Sequence, residues 1–302
     1  MTLIVASLRS TFPLKDLLVY FGLSRSTFYY CLAHPQKDCY IKERKLIKTV
    51  FEQAKGRYGY RRVALVLRKE HDICLDRKTV AKIMREEGLV AKQRRRSHYS
   101  SYKGTVGKVA TNHLKRDFDA SQPFQKLVTD ITQFKVGTSW VYLSPLIDLF
   151  NGEVVSWSIG TRPDMRLVCS MLIDVYELLC RHRPIVHSDQ GLQYQKHQWL
   201  TLLLDAGCRP SMSRKGNCLD NAVAESFFGK VKTEFGDGSD YRDVRTFIAR
   251  LDEYIRWYNE VRIKEVLTGL SPVEYRILKT HQPWIMSNFD GSHQFYGGRG
   301  GI

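Results

Sequence analysis

The stretch KLVTDITQFKV, residues 126–136, is where the chain changes texture. Polar and apolar residues alternate through it and β-branched side chains crowd it, which predicts a strand. SWVYLSPLIDLF (139–150) and GEVVSWSIGTR (152–162) read as two more strands, joined by a turn at Asn151-Gly152, a strong hairpin signal. MRLVCSMLIDVYELLC (165–180) has apolar residues at 165, 168, 172, 175, 176 and 179 and predicts a helix. RPIVHSDQG (183–191) is a short buried strand with a polar end, QWLTLLLDAG (198–207) a helix stopped by Gly207, and CRPSMS (208–213) a short strand. Two helices follow: LDNAVAESFFGKVKTEF (219–235) and a long final one, DVRTFIARLDEYIRWYNEVR (243–262). This order predicts an α/β domain over 125–280 on a mixed five-stranded sheet, its first three strands antiparallel and its later ones parallel. Trp140 and Trp157, both on strands, are expected in its core.

Ahead of this domain the chain is helical. In LKDLLVYFGLSRSTFYYCL (14–32), Leu14, Leu17, Leu18 and Phe21 share one helix face, Gly22 can turn the chain and Ser24 can cap a second helix. That predicts a helix-turn-helix within 1–40 that presents Arg25, Ser26 and Thr27 to DNA. Residues 41–90 read as a second, three-helix unit: 41–54, GRYGYRRVALVLRKE (56–70) and LDRKTVAKIMREEGL (75–89), with Asp76 as a cap and Gly88 as a stop. Its exposed side chains lean basic, Arg61 and Arg62 among them. A basic linker follows over 91–124. Its first part, 91–116, holds eight Lys or Arg, including Arg94, Arg95 and Arg96, and no Asp or Glu, while Tyr99 and Tyr102 could stack on bases. Residues 281–302 are expected to be a disordered tail.

The totals fit this picture. The chain has 302 residues, 43% of them hydrophobic, enough for one large core or two smaller ones. Forty-seven Lys and Arg against 31 Asp and Glu give a formal net charge of +16, and a soluble protein this basic usually meets a polyanion. Seven cysteines without a C-x-x-C pair point to reduced thiols in a cytoplasmic protein, and their spacing matches no zinc module. No apolar run is long enough to span a bilayer.

Three acids stand out against the basic background. Asp130 lies in the first strand, Asp189 follows the fourth, where parallel α/β sheets place ligands, and Glu225 sits on the 219–235 helix beside small residues. Lys232 is two turns further along that helix. Carboxylates brought together repel and take up protons unless a cation separates them. Magnesium, a hard oxygen-seeking cation, resolves this, and a pair of such ions supports phosphodiester chemistry. His187 and Ser188 could orient Asp189, or serve only as an ordinary strand end. Arg262 and Lys264 are candidates for a DNA-backbone contact, or a solvated helix end.

At this point the chain resembles the DDE transposases of bacterial insertion sequences, specifically the downstream-frame protein of the insertion-sequence-three family, relatives of retroviral integrases. The resemblance runs over about residues 14–276 and rests on VTDIT, HSDQGLQY, SMSRKGNCLDNAVAESFFGKVKTE and YNEVRIKEVLTGLSPVEYR, in that order. Thirty-five residues, 190–224, separate Asp189 from Glu225, and Lys232 lies seven residues after the Glu, as in the family. Leu127 stands where relatives often have Trp, and there is no heptad run.

The resemblance implies a ribonuclease-H-like catalytic domain with Asp130, Asp189 and Glu225 as catalytic metal ligands. They would hold two magnesium ions, with manganese able to substitute, and Lys232 would sit on DNA. It also implies cleavage and 3′-hydroxyl strand transfer at the ends of an insertion element. The implied partners are double-stranded DNA, further copies of the chain, and an upstream-frame protein or frameshift fusion, at the nucleoid. The competing readings are a DNA-binding regulator with an inactive catalytic domain and a ribonuclease-H-type nuclease that cuts without joining.

Overall fold

Residues 126–136 form two strands rather than one. In the computed structural model, which describes residues 1–34, 39–93, 110–213 and 221–280, the stretch divides into β1 (Lys126–Thr129) and β2 (Thr132–Val136). Both pair antiparallel with β3 (Ser139–Asp148) in one register: Thr129 faces Leu146 and Thr132 faces Leu143. They are one rail, interrupted at Asp130 and Ile131. The same register sets Asp130 opposite Pro145, which has no N–H to complete a ladder. On the other edge of β3 the pairing with β4 (Val154–Gly160) also slips, between Leu146 and Ile147. The turn between β2 and β3 is two residues long, with Gly137 at φ +57, as tight hairpins require.

β5 (Ile185–Ser188) runs parallel to β1, and β6 (Arg209–Met212) parallel to β5. The sheet therefore reads β4, β3, the β1–β2 rail, β5, β6. Six strands replace the expected five because the first is broken. The division into an antiparallel and a parallel half is as the sequence predicts, and the arrangement is ribonuclease-H-like.

The chain divides into two units, Met1–Thr49 and Val50–Ile302. In the first, α1 (Thr2–Leu8), α2 (Leu14–Tyr20) and α3 (Arg25–Ala33) bury Val5, Leu17, Leu18 and Phe28 together. Gly22 takes φ +62 between α2 and α3, and Ser24 caps α3 by accepting from the Thr27 N–H at 3.0 Å. Helix α1 carries no signal that the reading of 14–32 used. The boundary between units falls inside α4 (Ile41–Gln53).

After the end of α4, the second unit continues with α5 (Tyr60–His71) and α6 (Arg77–Glu86), which bury Val63, Val66 and Leu67 from one helix and Val80, Ile83 and Met84 from the other. Asp76 caps α6 through the Lys78 N–H at 2.9 Å, as expected.

The sheet is covered on both faces. One face packs against α7 (Met165–Ile173), α8 (Tyr176–His182) and α9 (His197–Asp205), with Leu127, Leu146, Val155 and Val186 pointing that way. The other, with Val128, Phe134, Val136, Val141 and Ile147, packs against α10 (Ala222–Glu234) and α11 (Val244–Glu260).

Four expectations change. The 165–180 helix breaks between Ile173 and Tyr176. α11 is not the last helix, since α12 (Pro272–Thr280) follows it. Trp157 is buried but Trp140 is 43% exposed, because it lies on the β2–β3 hairpin beyond the helix cover. Within the expected linker, Leu114 is buried in the α10–α11 core, and the N–H groups of His113 and Leu114 donate to Ser211 Oγ on β6. Residues 94–109 of that linker and 281–302 of the tail lie outside the described residues.

Candidate active site

Strand parity decides where the two aspartates point. Side chains alternate between faces, so Asp130 shares the face of Val128 and Phe134, the α10 side. Val128 is paired with His187 on β5. The same register carried two residues further sets Asp130 beside Asp189, also on the α10 side, with main chains about 5 Å apart. Both residues follow the last paired residue of their strands, where the parallel half of the sheet opens toward a ligand.

α10 brings the third acid to the same end. Asn221 precedes its first turn and donates from Nδ2 to the Thr129 carbonyl at 3.3 Å, fastening the helix start to the end of β1. Asn221 is buried, and among the described residues its Oδ1 has no hydrogen-bond partner. Glu225 lies one turn on, next to Ala224 of the buried face, and is itself half-buried.

The charges register this proximity. Burial, then Asp189, then Glu225 push the Asp130 carboxyl well above its usual range, against a hydrogen bond from the Ile131 N–H at 2.7 Å. Asp189 is likewise raised by burial, opposed by the Gly191 N–H at 2.9 Å. Among the described residues no group of three His, Cys, Asp or Glu stands close enough to grip one ion together. The donor set nonetheless suits a hard cation. Two half-buried carboxyls stand on neighbouring strand ends, and a third, Glu225, adds to the pressure on Asp130, so the set offers the carboxylate oxygens a divalent cation prefers.

The surroundings hold these side chains in place. A Cβ on Gly191 would come within 2.9 Å of Asp189 Oδ1 and 3.3 Å of the Tyr194 ring, so this turn needs glycine for close approach rather than for its φ. Gln190 donates to the Ser213 carbonyl at 2.9 Å. His187 is buried with its ring nitrogens on Ser211 Oγ (2.8 Å) and Ser213 Oγ (3.1 Å), and Ser188 donates to the Asp189 main-chain oxygen. Both hold the strand end and touch neither carboxylate in these bonds. Tyr194 was not singled out by the sequence. Its phenol lies beneath the site, 3.4 Å from Thr129 Oγ1, and burial together with Asp130 and Asp189 raises its pKa well above normal. Its only sequence signal is its place in HSDQGLQY.

The expected DNA contacts divide sharply. Lys232 is exposed on α10, its ammonium 5.6 Å from the Phe134 ring centre. Arg25 and Ser26 are exposed at the start of α3, with Ser26 Oγ 3.0 Å from Ser24 Oγ. Arg61 is exposed, with Glu265 at 3.9 Å. Three others are not on an open basic surface. Arg262 is 1% exposed and is paired through two bonds with Glu234. Arg62 pairs with the same carboxylate at 3.1 Å. The Lys264 ammonium donates to the carbonyls of Asn151 and Gly152, both at 2.9 Å, and burial followed by Arg262 lowers it to about 7. The expected phosphate contacts at Arg62, Arg262 and Lys264 are therefore corrected: intramolecular acceptors already hold these cations. Arg94, Arg95 and Arg96 lie outside the described residues.

Comparison with known proteins identifies the family. A family model described as an integrase core domain matches residues 120–218, a second integrase core model matches 225–279, and an HTH-like domain model matches 41–97. The chain is 43% identical over 275 residues to the putative transposase InsK for insertion sequence element IS150 of Escherichia coli K12, covering 90% of this chain and 96% of that protein. It is 36% identical over 234 residues to the transposase InsF for insertion sequence IS3A of the same organism, covering 76% and 80%. Among solved structures, the HTLV-2 integrase catalytic core domain in complex with magnesium shares 15% identity at a TM-score of 0.40, over 52% of this chain and 98% of that one. The sheet order, the acids at its open end and the extent of the sequence identity lead to one conclusion: the chain belongs to the IS150/IS3 family of insertion-sequence transposases, which are DDE polynucleotidyl transferases.

Proposed function

We propose that Asp130, Asp189 and Glu225 are the catalytic metal ligands of this transposase, and that it cuts DNA at the ends of an insertion sequence and joins the freed 3′-hydroxyl to a new phosphodiester. The observation that carries this reading is that Asp130 and Asp189 end neighbouring parallel strands on the α10 face, with Glu225 on α10 near enough to raise the Asp130 carboxyl. Magnesium bound there would polarise the scissile phosphate and lower the pKa of an attacking water or hydroxyl. The protein's own part is placement. The β1 break and the Gly191 turn present two carboxylates, and Asn221 ties the Glu225 helix to them. Thr129, His187 and Ser188 below the two carboxylates are buried. Lys232, exposed two turns after Glu225, lies on DNA near the cut.

The chain acts on double-stranded DNA as an oligomer, with an upstream-frame product or as its fusion, in the bacterial cytoplasm at the nucleoid. No described helix is long and apolar enough to cross a membrane. The exposed basic residues Lys78, Lys82 and Arg85 of α6, with Arg25 of α3, supply phosphate contacts.

The test uses purified full-length chain on DNA carrying the repeats that flank its gene. Asp189→Asn and Glu225→Gln should lose magnesium-dependent cutting and joining and keep DNA binding. Cutting at the parental rate by either variant rejects the assignment. Cuts without joined products would favour the nuclease reading.

A further inference from the structure

The carboxylate of Glu234, at the last turn of α10, is a junction of three segments. Oε2 accepts from Arg262 Nε at 2.7 Å and Tyr254 OH at 3.0 Å. Oε1 accepts from Arg262 Nη2 at 2.5 Å and Arg62 Nη1 at 3.1 Å. The main-chain oxygen of Glu234 accepts from Arg57 Nε at 3.3 Å and Lys92 Nζ at 3.2 Å. Arg57, Arg62 and Lys92 lie in the HTH-like region, while Tyr254 and Arg262 belong to α11 and the turn after it.

Neighbouring contacts follow the same path. The Arg57 guanidinium stands 4.4 Å from the Trp257 ring centre, and Tyr58 OH accepts from the Ile263 N–H at 3.2 Å. GRYGYRR thus turns Arg57, Tyr58 and Arg62 inward, and docks the helix pair α5–α6 on the catalytic domain.

A buried carboxylate shared by two guanidiniums has one good geometry. Sliding the helix pair would strand a charge, so the contact sets a register rather than a loose attachment. α10 carries that register to the site: Glu225 and Glu234 are nine residues apart on one helix, about 13 Å along its axis. The exposed basic face of α6, with Lys78, Lys82 and Arg85, is held at the other end of the same joint.

We propose that Glu234 is a positioning residue that, through Arg62 and Arg262, fixes the DNA-reading face of α6 relative to the catalytic helix and so sets which phosphodiester is cut. This rests on the catalytic reading above.

The experiment maps cut positions at nucleotide resolution on end-labelled DNA with the flanking repeats, using full-length chain and magnesium. Glu234→Gln keeps the shape and removes the charge. Arg62→Met is milder, since it leaves the Arg262 pair intact at the buried end. Cutting at the parental phosphodiester should slow by about 10- to 100-fold as orientation is lost. Cuts at neighbouring phosphodiesters should appear, DNA binding should persist, and Arg62→Lys should restore the parental position. An unchanged single cut site in folded Arg62→Met overturns the proposal. So does complete loss of cutting by that variant at an unchanged melting temperature, since a joint that only positions would not remove chemistry. If the parent chain itself does not cut with magnesium, the catalytic reading has failed instead.

Discussion

Asn259 on α11 reads both main-chain groups of Val154 on β4: Oδ1 accepts from its N–H and Nδ2 donates to its C=O, each at 2.9 Å. Asn259 is fully buried, so the amide replaces a strand neighbour at the sheet edge and binds the helix to it. Asn259→Leu keeps the volume and leaves both groups of Val154 unpaired. It is expected to cost about 2–4 kcal/mol. Urea denaturation checks this, with a lower midpoint at an unchanged slope.

Glu234 gives the fold an acid-sensitive joint. Burial raises its pKa, but the Arg262 and Arg62 guanidiniums outweigh burial and hold it below its ordinary 4.5. A carboxyl lowered by folding stabilises fully above its unfolded value, and the contribution is lost as pH falls through the lower folded one. Parent and Glu234→Gln should therefore differ most at neutral pH, and the gap should narrow progressively as pH falls below 4.5. Thermal melts from pH 3 to pH 8 measure the gap. A gap that stays constant with pH would mean the carboxylate charge is not what holds the joint.

Gly191→Ala separates placement from folding. The new methyl would press on Asp189 Oδ1 and Tyr194 from a turn on the strand-end side of the sheet. Cutting is expected to fall by about 100-fold while DNA affinity stays within about twofold. Parallel binding and cleavage titrations decide it.

DNA binding should weaken log-linearly with salt, and each lost phosphate contact should lower the slope by about 1. Lys78→Ala and Lys82→Ala, on the open face of α6, should each show that loss. Lys264→Met should not, because its ammonium already serves two carbonyls inside the fold.

The sheet was legible from alternation and turn residues, because each strand's face is written locally. The acids were legible as candidates from spacing, but their meeting needed the β1–β5 register, which no local pattern contains. Arg62, Arg262 and Lys264 were misread for a related reason. Glu234 lies 28 residues before Arg262 and 172 after Arg62, and Lys264 turns onto the distant carbonyls of Asn151 and Gly152, so charge counting cannot see the acceptors that the fold supplies to these cations. α12 had a readable start. Ser271 Oγ accepts from the Glu274 N–H at 3.2 Å and Glu274 Oε2 accepts from the Ser271 N–H at 2.8 Å, a capping box spelled S-P-V-E. The gap between α7 and α8 has no Gly or Pro to announce it.

Pro145 has a consequence for how this chain can change over generations. Most residues at that position would restore a donor to β3 and favour one unbroken strand over 126–136. Such a change would suit the sheet and reorient the backbone at Asp130. Selection for a sturdier fold and selection for an active enzyme then pull position 145 in opposite directions. A screen for thermostable variants that does not also score transposition should collect replacements of this proline among its first dead winners.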